Sequence, residues 1–339
     1  MMRPWPGLLL LTFGMMLMLA GGCRHFGGVR SGNPTYSPEE RAARNAEVEE
    51  KLTDARAASE QGDYDLAIAL FREILSKNPT VTTAYLGIAD IYMETSDFNQ
   101  AESNYSRAAQ LEPRNFDAQY GHGFALQMLN RFVEAIRAYH RALVIRPDSP
   151  QANLNMATTY LQMGDAQAAR NFAEKAVELD PESGPARVNL GAVYDKLGMH
   201  AEAIDTYRVA MELMDPTPEL VLNLVQTLRT SERYNEMINA AETLNRREPN
   251  ANAFEAIGYG HFKLRDYDRS MAAYQRAVEL DDTNWPSWNG IGCNAVNRWL
   301  LSKKRDADAK RTAGEALRKS LKINPRQENV LQLVSTYQL

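Results

Sequence analysis

The 339-residue sequence predicts an all-α protein, a solenoid of stacked antiparallel helix pairs. The first observation is a series of six prolines at intervals of 34, 34, 34, 35 and 33 residues. They are Pro79, Pro113, Pro147, Pro181, Pro216 and Pro249. The second observation is that the stretches before these prolines, such as 65–74 and 133–142, align with one another as amphipathic helices. This regularity is typical of repeat proteins, in which each unit buries its apolar face against its neighbours.

The composition fits a folded chain and argues against several classes of protein. Hydrophobic residues make up 44% and charged residues 24%, so neither disorder nor collagen is expected. The 38 basic and 43 acidic side chains give a net charge of -5, so the chain as a whole carries no positive excess for a nucleic acid. The two cysteines are too few for a disulfide framework and too far apart for a CxxC motif.

Small and aromatic residues recur at fixed positions within each repeat. In the first helix, here helix A, a small residue precedes an aromatic by three positions, as in Gly191 and Tyr194. In the second, helix B, an alanine, an aromatic and an alanine follow at spacings of four and three, as in Ala203, Tyr207 and Ala210. This pattern resembles the tetratricopeptide repeat family, and the resemblance implies a right-handed superhelical solenoid that binds other proteins.

Eight such units are predicted over residues 45–325. Two helices whose axes approach to about 8–10 Å need small side chains at the crossing and large ones beside it. Residues 326–339 are predicted to form a final helix that caps the last unit, with Val330, Leu331 and Val334 in its apolar stripe.

An insertion is predicted in the eighth unit. Its closing proline, Pro325, comes nine residues late, which places the insertion near 300–308. The sequence there is apolar and then basic, from Trp299 to Arg305, with Lys310 and Arg311 beyond. Such a segment either contacts anionic lipid or forms a lengthened helix end whose lysines are solvated. We favour the lengthened helix end.

The start of the chain has the character of an export signal. Residues 1–22 combine Arg3, an apolar run from Leu8 to Ala20 and small residues before Cys23. The run is 13 residues long, whereas a transmembrane helix needs about 20. The segment ending in Cys23 resembles the lipobox of bacterial lipoproteins, although Ala20 lies where leucine is usual. The resemblance implies lipidation of Cys23, and the alternative is a conventional cleaved signal.

A flexible linker is predicted after the signal, over residues 23–44. Glycines and Pro34 occur between Arg24 and Tyr36, where apolar residues are few. Ser37 and Glu40 then have the spacing of a capping box, which predicts that a helix begins there.

Three asparagines lie at equivalent positions of consecutive A helices. Asn155, Asn189 and Asn223 follow one another at intervals of 34 residues, and each comes two residues before the small residue of its helix. In similar superhelical tetratricopeptide arrays such an asparagine ladder binds the backbone of an extended peptide, because an amide carries donors and an acceptor. The alternative is that the asparagines simply face solvent.

Other side chains are predicted on the same inner surface. They are aromatic, amide or cationic, and are spaced three or four residues apart on A helices. They are Tyr120, Phe124, Gln226, Arg229, Tyr259 and Phe262. Exposed aromatics are plausible anchors for a bound peptide, and the alternative is that they fill the core between helices.

Catalytic and metal-binding motifs are not found in the sequence. The five histidines form no HExxH motif and no pair at helical spacing, and the sequence contains no GxSxG, P-loop or strand-associated GxGxxG motif. Cys293 follows Gly292 on a predicted A helix, which favours a packed thiol over a nucleophile. We therefore expect no enzymatic activity, cofactor, metal or small-molecule substrate.

The sequence as a whole predicts a non-enzymatic scaffold that binds protein or peptide partners. The export signal places it in the bacterial cell envelope, lipid-anchored and facing the periplasm, at the outer membrane in preference to the inner; the alternative is secretion. Two further hypotheses stay open: an accessory subunit of an envelope enzyme or of a pilus or outer-membrane assembly complex, and a self-associating structural protein.

Overall fold

The computed structural model describes residues 37–339, and within that range every regular element is an α-helix. The predicted export signal, Cys23 and the residues up to 36 lie outside the described part of the chain. The chain divides into two compact units at Glu49 and Glu50. In the first unit only residues 37–49 are described, and the second unit holds the repeats.

The helices alternate in a regular order. The first, α1 (Pro38–Glu60), is longer than the helices that follow it. The others are α2 (Tyr64–Lys77), α3 (Thr82–Glu94), α4 (Phe98–Leu111), α5 (Phe116–Met128), α6 (Phe132–Ile145), α7 (Pro150–Gln162), α8 (Ala166–Leu179), α9 (Gly184–Lys196), α10 (His200–Leu213), α11 (Pro218–Thr230), α12 (Tyr234–Arg247), α13 (Ala251–Lys263), α14 (Tyr267–Leu280), α15 (Trp285–Leu301), α16 (Ala307–Ile323) and α17 (Glu328–Tyr337). None of these helices in residues 37–339 is both long enough and apolar enough to cross a bilayer.

The first helix begins at a capping box, as predicted. The Glu40 amide donates to Ser37 Oγ at 3.2 Å, and the Ser37 amide donates to a Glu40 carboxylate oxygen at 2.8 Å. The helix therefore begins at Pro38, which corrects the predicted boundary of the linker: residues 38–44 are helical. The physical reason is that proline is well tolerated in the first turn once these caps satisfy the free amides.

Odd-numbered helices from α1 to α15 are the A helices of eight pairs, and even-numbered helices from α2 to α16 are the B helices. Each B helix from α2 to α12 ends two or three residues before one of the six periodic prolines. A proline has no amide hydrogen and pushes its predecessor out of the helical region, which explains the endings.

The pairs stack into a solenoid in residues 50–339. Each helix from α2 to α16 packs on the next, and each A helix from α3 to α13 also contacts the following A helix. Within residues 50–339, no comparable contact joins successive B helices. Because the A helices lie closer together than the B helices, the A helices line the inner side of the stack.

In five of the eight pairs an aromatic ring on helix B fills the space at the helix crossing: Phe71, Tyr105, Tyr139, Tyr207 and Tyr274. Tyr274 of α14 is 4% exposed. A Cβ added to Gly258, on the A helix of the same pair, would lie 2.8 Å from this ring, and one added to Gly290, on the next A helix, would lie 2.2 Å from it. The ring is therefore wedged between two A helices and joins its own pair to the next.

The eighth pair is longer than the others. Helices α15 and α16 have 17 residues each, whereas α13 has 13 and α14 has 14. The insertion therefore lengthens both helices as well as the turn between them. Lys304 and Lys310 lie over the Trp299 ring, at 5.6 and 5.3 Å from its centroid, while Leu301 is 74% exposed.

The final helix, α17, packs on the eighth pair. Val330, Leu333 and Val334 contact the cluster that contains Leu317. Leu331 was predicted in this apolar stripe and instead is 50% exposed. The correction follows from helix geometry, because the side of α17 that holds 330, 333, 334 and 337 faces α16, and residue 331 lies outside it.

Substitution of Gly191 tests the crossing. A Cβ at this position would lie 2.6 Å from Tyr207 Cε1, so Gly191→Leu is expected to destabilise the protein by about 1–3 kcal/mol through overpacking. Urea unfolding followed by circular dichroism measures the change. The control is Lys196→Leu on the same helix, at an exposed position. Equal stability of the two variants would contradict the wedge at this crossing.

Candidate functional site: the inner face of the A helices

The inner face is the surface made by the exposed sides of α3, α5, α7, α9, α11 and α13. Helix α11 shows how it arises. Its buried residues pack against the neighbouring helices on both sides, and its exposed residues fall at spacings of four, three and four. They are Glu219, Asn223, Gln226 and Thr230. This spacing forms one stripe along the helix, on the side that no other helix covers.

Asn155 is held firmly by its neighbours. Its side-chain amide nitrogen donates to the Tyr120 hydroxyl at 2.8 Å, and its Oδ1 accepts from Gln151 Nε2 at 3.1 Å. The residue is 8% exposed. Asn155 therefore joins α7 to the preceding A helix, α5, and its side chain is already occupied.

Asn189 is half-buried, with its Oδ1 shielded from solvent, whereas Asn223 is exposed. Asn189 donates its amide to Thr158 Oγ1 of α7 at 2.9 Å, while its Oδ1 has no hydrogen-bond partner. Asn223 is exposed on α11, with Gln226 beside it. The three asparagines thus lie on the same face but have different partners, and Asn223 is the one most open to a bound peptide.

Glycine takes the ladder position where the aromatic wedge reaches across it. A Cβ at Gly87 would lie 2.3 Å from Phe71, and one at Gly121 would lie 2.3 Å from Tyr105. In both cases the ring belongs to the preceding B helix. At these two positions the ring therefore occupies the space that a larger side chain would need.

An apolar stripe runs along α5. Phe116, Tyr120 and Phe124 stack in sequence, with ring centroids 5.7 and 6.5 Å apart, and all three are half-buried. Met128 continues the stripe at the same spacing of four residues and is exposed. Burial raises the pKa of the Tyr120 hydroxyl. The two predicted aromatics therefore serve partly as core, through contacts with the cluster around Tyr139, and partly as surface.

A second cluster of aromatic and charged side chains joins α11 and α13. Arg229 pairs with Glu255, and its guanidinium lies 4.5 Å from the centroid of the Tyr259 ring. Lys263 Nζ lies 5.9 Å from the same ring centroid. The negative charge of Tyr259 in its ionised form is the main cause that raises the pKa of Lys263. Cations over an aromatic face are stabilised there.

Phe262 belongs to the edge of this second cluster. It packs edge-on against Tyr267, with ring centroids 5.7 Å apart, and is half-buried. The sequence pattern predicts Arg229, Tyr259 and Phe262 on this face but not Lys263, which ends α13 and is exposed. It also missed Phe116 and Met128, although their spacing of four residues from Tyr120 and Phe124 was a usable signal.

Cys293 and the residue types that bind metals were candidates for chemistry beyond peptide binding. Cys293 lies on α15, and burial raises the pKa of its thiol. A raised pKa keeps a thiol protonated and less nucleophilic. Within residues 37–339, histidine, cysteine and carboxylate side chains do not group together in a way that could hold a metal ion.

Comparison with family models identifies the repeats directly. Models described as tetratricopeptide repeat match residues 58–103, 114–182, 152–215 and 251–284. Among curated proteins, tetratricopeptide repeat protein 28 of Mus musculus is 32% identical over 120 residues, which is 35% of this chain and 5% of that protein. Small glutamine-rich tetratricopeptide repeat-containing protein 2 of Saccharomyces cerevisiae is 28% identical over 33% of this chain and 32% of its own length. This chain thus spans a minor part of either relative.

Solved structures share the fold. The structure titled as a functional characterisation of pilF from Pseudomonas aeruginosa has a TM-score of 0.55 and 17% identity, covering 66% of this chain and 99% of that one. A tetratricopeptide repeat protein from Parabacteroides merdae has a TM-score of 0.53 and 16% identity, covering 69% and 93%. At this level of identity the likeness shows the fold alone, and it confirms the predicted all-α solenoid.

The asparagines are expected to differ in their effect on stability. Asn155→Ala removes a nearly buried amide that satisfies the Tyr120 hydroxyl, so a loss of about 1–2 kcal/mol is expected. Asn223→Ala changes an exposed side chain and should stay within about 0.5 kcal/mol. Urea unfolding of the two variants measures the difference. Equal losses would show that the two environments are not distinct.

Proposed function

This chain belongs to the tetratricopeptide repeat family, and we propose that it is a non-enzymatic scaffold whose inner face binds an extended segment of a partner protein. The observation that carries the proposal is the open stripe on α11 and α13, where Asn223, Gln226 and Lys263 are exposed. These side chains offer amide donors and acceptors and a cation beside an aromatic ring, a mixture suited to a polypeptide backbone and its side chains.

The fixed side chains around the stripe also support binding. Arg229 is held by Glu255 and by the Tyr259 ring. Its side chain is therefore already ordered before a ligand binds. The stacked stripe on α5 is ordered in the same way, by ring-to-ring contacts. Surfaces that are ordered before binding lose less entropy when a partner docks.

We further propose, from the sequence, that the protein lies in the bacterial cell envelope. The export signal at 1–22 and Cys23 support a lipid anchor on a membrane facing the periplasm, with the outer membrane preferred to the inner. Secretion after conventional cleavage remains the alternative. The further alternative, an accessory subunit of an envelope enzyme or of a pilus or outer-membrane assembly complex, uses the same inner face.

Site-specific photo-crosslinking tests the binding function. A photoreactive amino acid replaces Asn223 or Gln226 on the inner face, and the matched control replaces Glu212, which is exposed on the B helix α10. Irradiation of intact cells is expected to give partner adducts from the two inner positions and not from the control. Adducts from Glu212 alone would place binding on the outer side and contradict the proposal.

Metabolic labelling tests the anchor. Growth with an alkyne-bearing fatty acid is expected to label the wild-type chain, because a lipoprotein cysteine carries acyl chains. Cys23→Ser should lose the label and Cys293→Ser should keep it, since Cys293 is a packed residue of α15. A label that survives the first change would show that Cys23 is not the site of acylation.

A further inference from the structure

The residue that ends each A helix is exposed in all seven repeats from α1 to α13. These residues recur at intervals of 34 and, at the last step, 33. In chain order they are Glu60, Glu94, Met128, Gln162, Lys196, Thr230 and Lys263. The first two are negative, the next two are neutral, and the fifth and seventh are positive, with the neutral Thr230 between them.

Helix stability explains only the positive end of this series. The C-terminus of a helix carries partial negative charge, which favours lysine there and disfavours glutamate. Lys196 and Lys263 agree with that preference, whereas Glu60 and Glu94 oppose it. Glu94 accepts a hydrogen bond from the Tyr64 hydroxyl at 2.8 Å. This neutral donor leaves the negative charge of Glu94 in place, so a positively charged ligand would be a further partner for both glutamates.

Glu60 and Glu94 lie in a concavity of about 370 Å³ on the inner side of α1 and α3. Arg56 and Asp90 also line it, so it holds three carboxylates and one guanidinium. Desolvation by the surrounding residues raises the pKa of Asp90, and the negative charges of Asp117 and Glu94 raise it further, while the hydrogen bond from Tyr105 lowers it. Within the concavity, Asp90 and Glu94 are thus close enough to repel each other.

The wall of this concavity is apolar. Leu86 and the ring of Phe71 line it, together with Gly87. A lysine or arginine side chain places its carbon stem on apolar surface and its charge among carboxylates, and this pocket provides both. A cation there would also relieve the repulsion between the carboxylates.

At the opposite end of the inner face, lysines end α9 and α13, although Glu219 is exposed at the start of the α11 stripe. Lys196 and Lys263 are exposed, and Arg229 lies between them on α11. Arg229 is partly neutralised by Glu255, so the lysines supply most of the free positive charge. Between the two ends lies the apolar stripe of α5, which ends in the exposed Met128.

We propose that the partner segment is itself ordered by charge: lysine or arginine residues bind the concavity of α1 and α3, apolar or aromatic residues lie on α5, and aspartate or glutamate residues lie along α9 to α13. This inference rests on the proposed function, since it names the chemistry of the segment that the inner face binds. Complementary charge at both ends fixes the direction of the segment and excludes segments with mixed charge.

Peptide display tests the charge order. Random 20-residue peptides are selected on the full chain in detergent, and each selected peptide carries a photoreactive group at one end for mapping by mass spectrometry. We expect basic residues at one end of the selected peptides and acidic residues at the other. The basic end should crosslink to α1 and α3, and added salt should weaken binding.

Two double variants provide the comparison. Glu60→Lys with Glu94→Lys is expected to weaken binding of the selected peptides by about tenfold or more, because two attractions become repulsions. The matched control is Glu212→Lys with Glu242→Lys, which makes the same change of net charge at exposed positions of α10 and α12 and should change affinity less than about twofold.

The outcomes separate this inference from the function on which it rests. Selected peptides that crosslink to the inner face but show no charge order, or that bind the Glu60 and Glu94 double variant as well as the control, would overturn the charge order and leave peptide binding intact. If none of the selected peptides crosslinks to the inner face, the proposed function itself fails.

Discussion

The wedge of an aromatic ring between A helices is the contact on which five of the eight pairs depend. Tyr274 shows both halves of it, because its ring touches Gly258 of its own pair and Gly290 of the next. One side chain thus fixes the crossing within a pair and the register between pairs. The requirement for a small residue opposite each ring follows directly, since even a single Cβ would overlap the ring.

The wedge also limits what the inner face can present. The ladder position lies where the ring of the preceding repeat reaches the next A helix, and Gly87 and Gly121 leave that space to the ring. Where asparagine is present, its first role is to join helices: Asn155 bonds Tyr120, and Asn189 bonds Thr158. A polar side chain at this position therefore contributes to stacking before it can contribute to binding, and only Asn223 is fully open.

Local chemistry made the fold predictable, and long-range contacts limited prediction of the site. The periodic prolines, the Ser37 and Glu40 capping box and the small and aromatic spacings each act within a few residues, so the sequence shows them directly. The pairing of Arg229 with Glu255 joins residues 26 apart on different helices, and no local pattern marks it. The exposure of Leu331 was missed for the same reason, because the position of α16 decides which side of α17 is buried.

The charged residues at the two ends of the inner face affect stability and binding differently. At α9 and α13 the lysines that end the helices satisfy the helix dipole and remain available to an acidic ligand, so stability and binding favour the same residues. At α1 and α3 the glutamates oppose the dipole and lie near Asp90, whose pKa is raised by desolvation and by neighbouring negative charge. A bound cation would remove both penalties, so the acidic end gains more from occupancy than the basic end. Binding of a segment with ordered charge would therefore stabilise the first repeats most, and would do so without any change in the packing of the aromatic wedges.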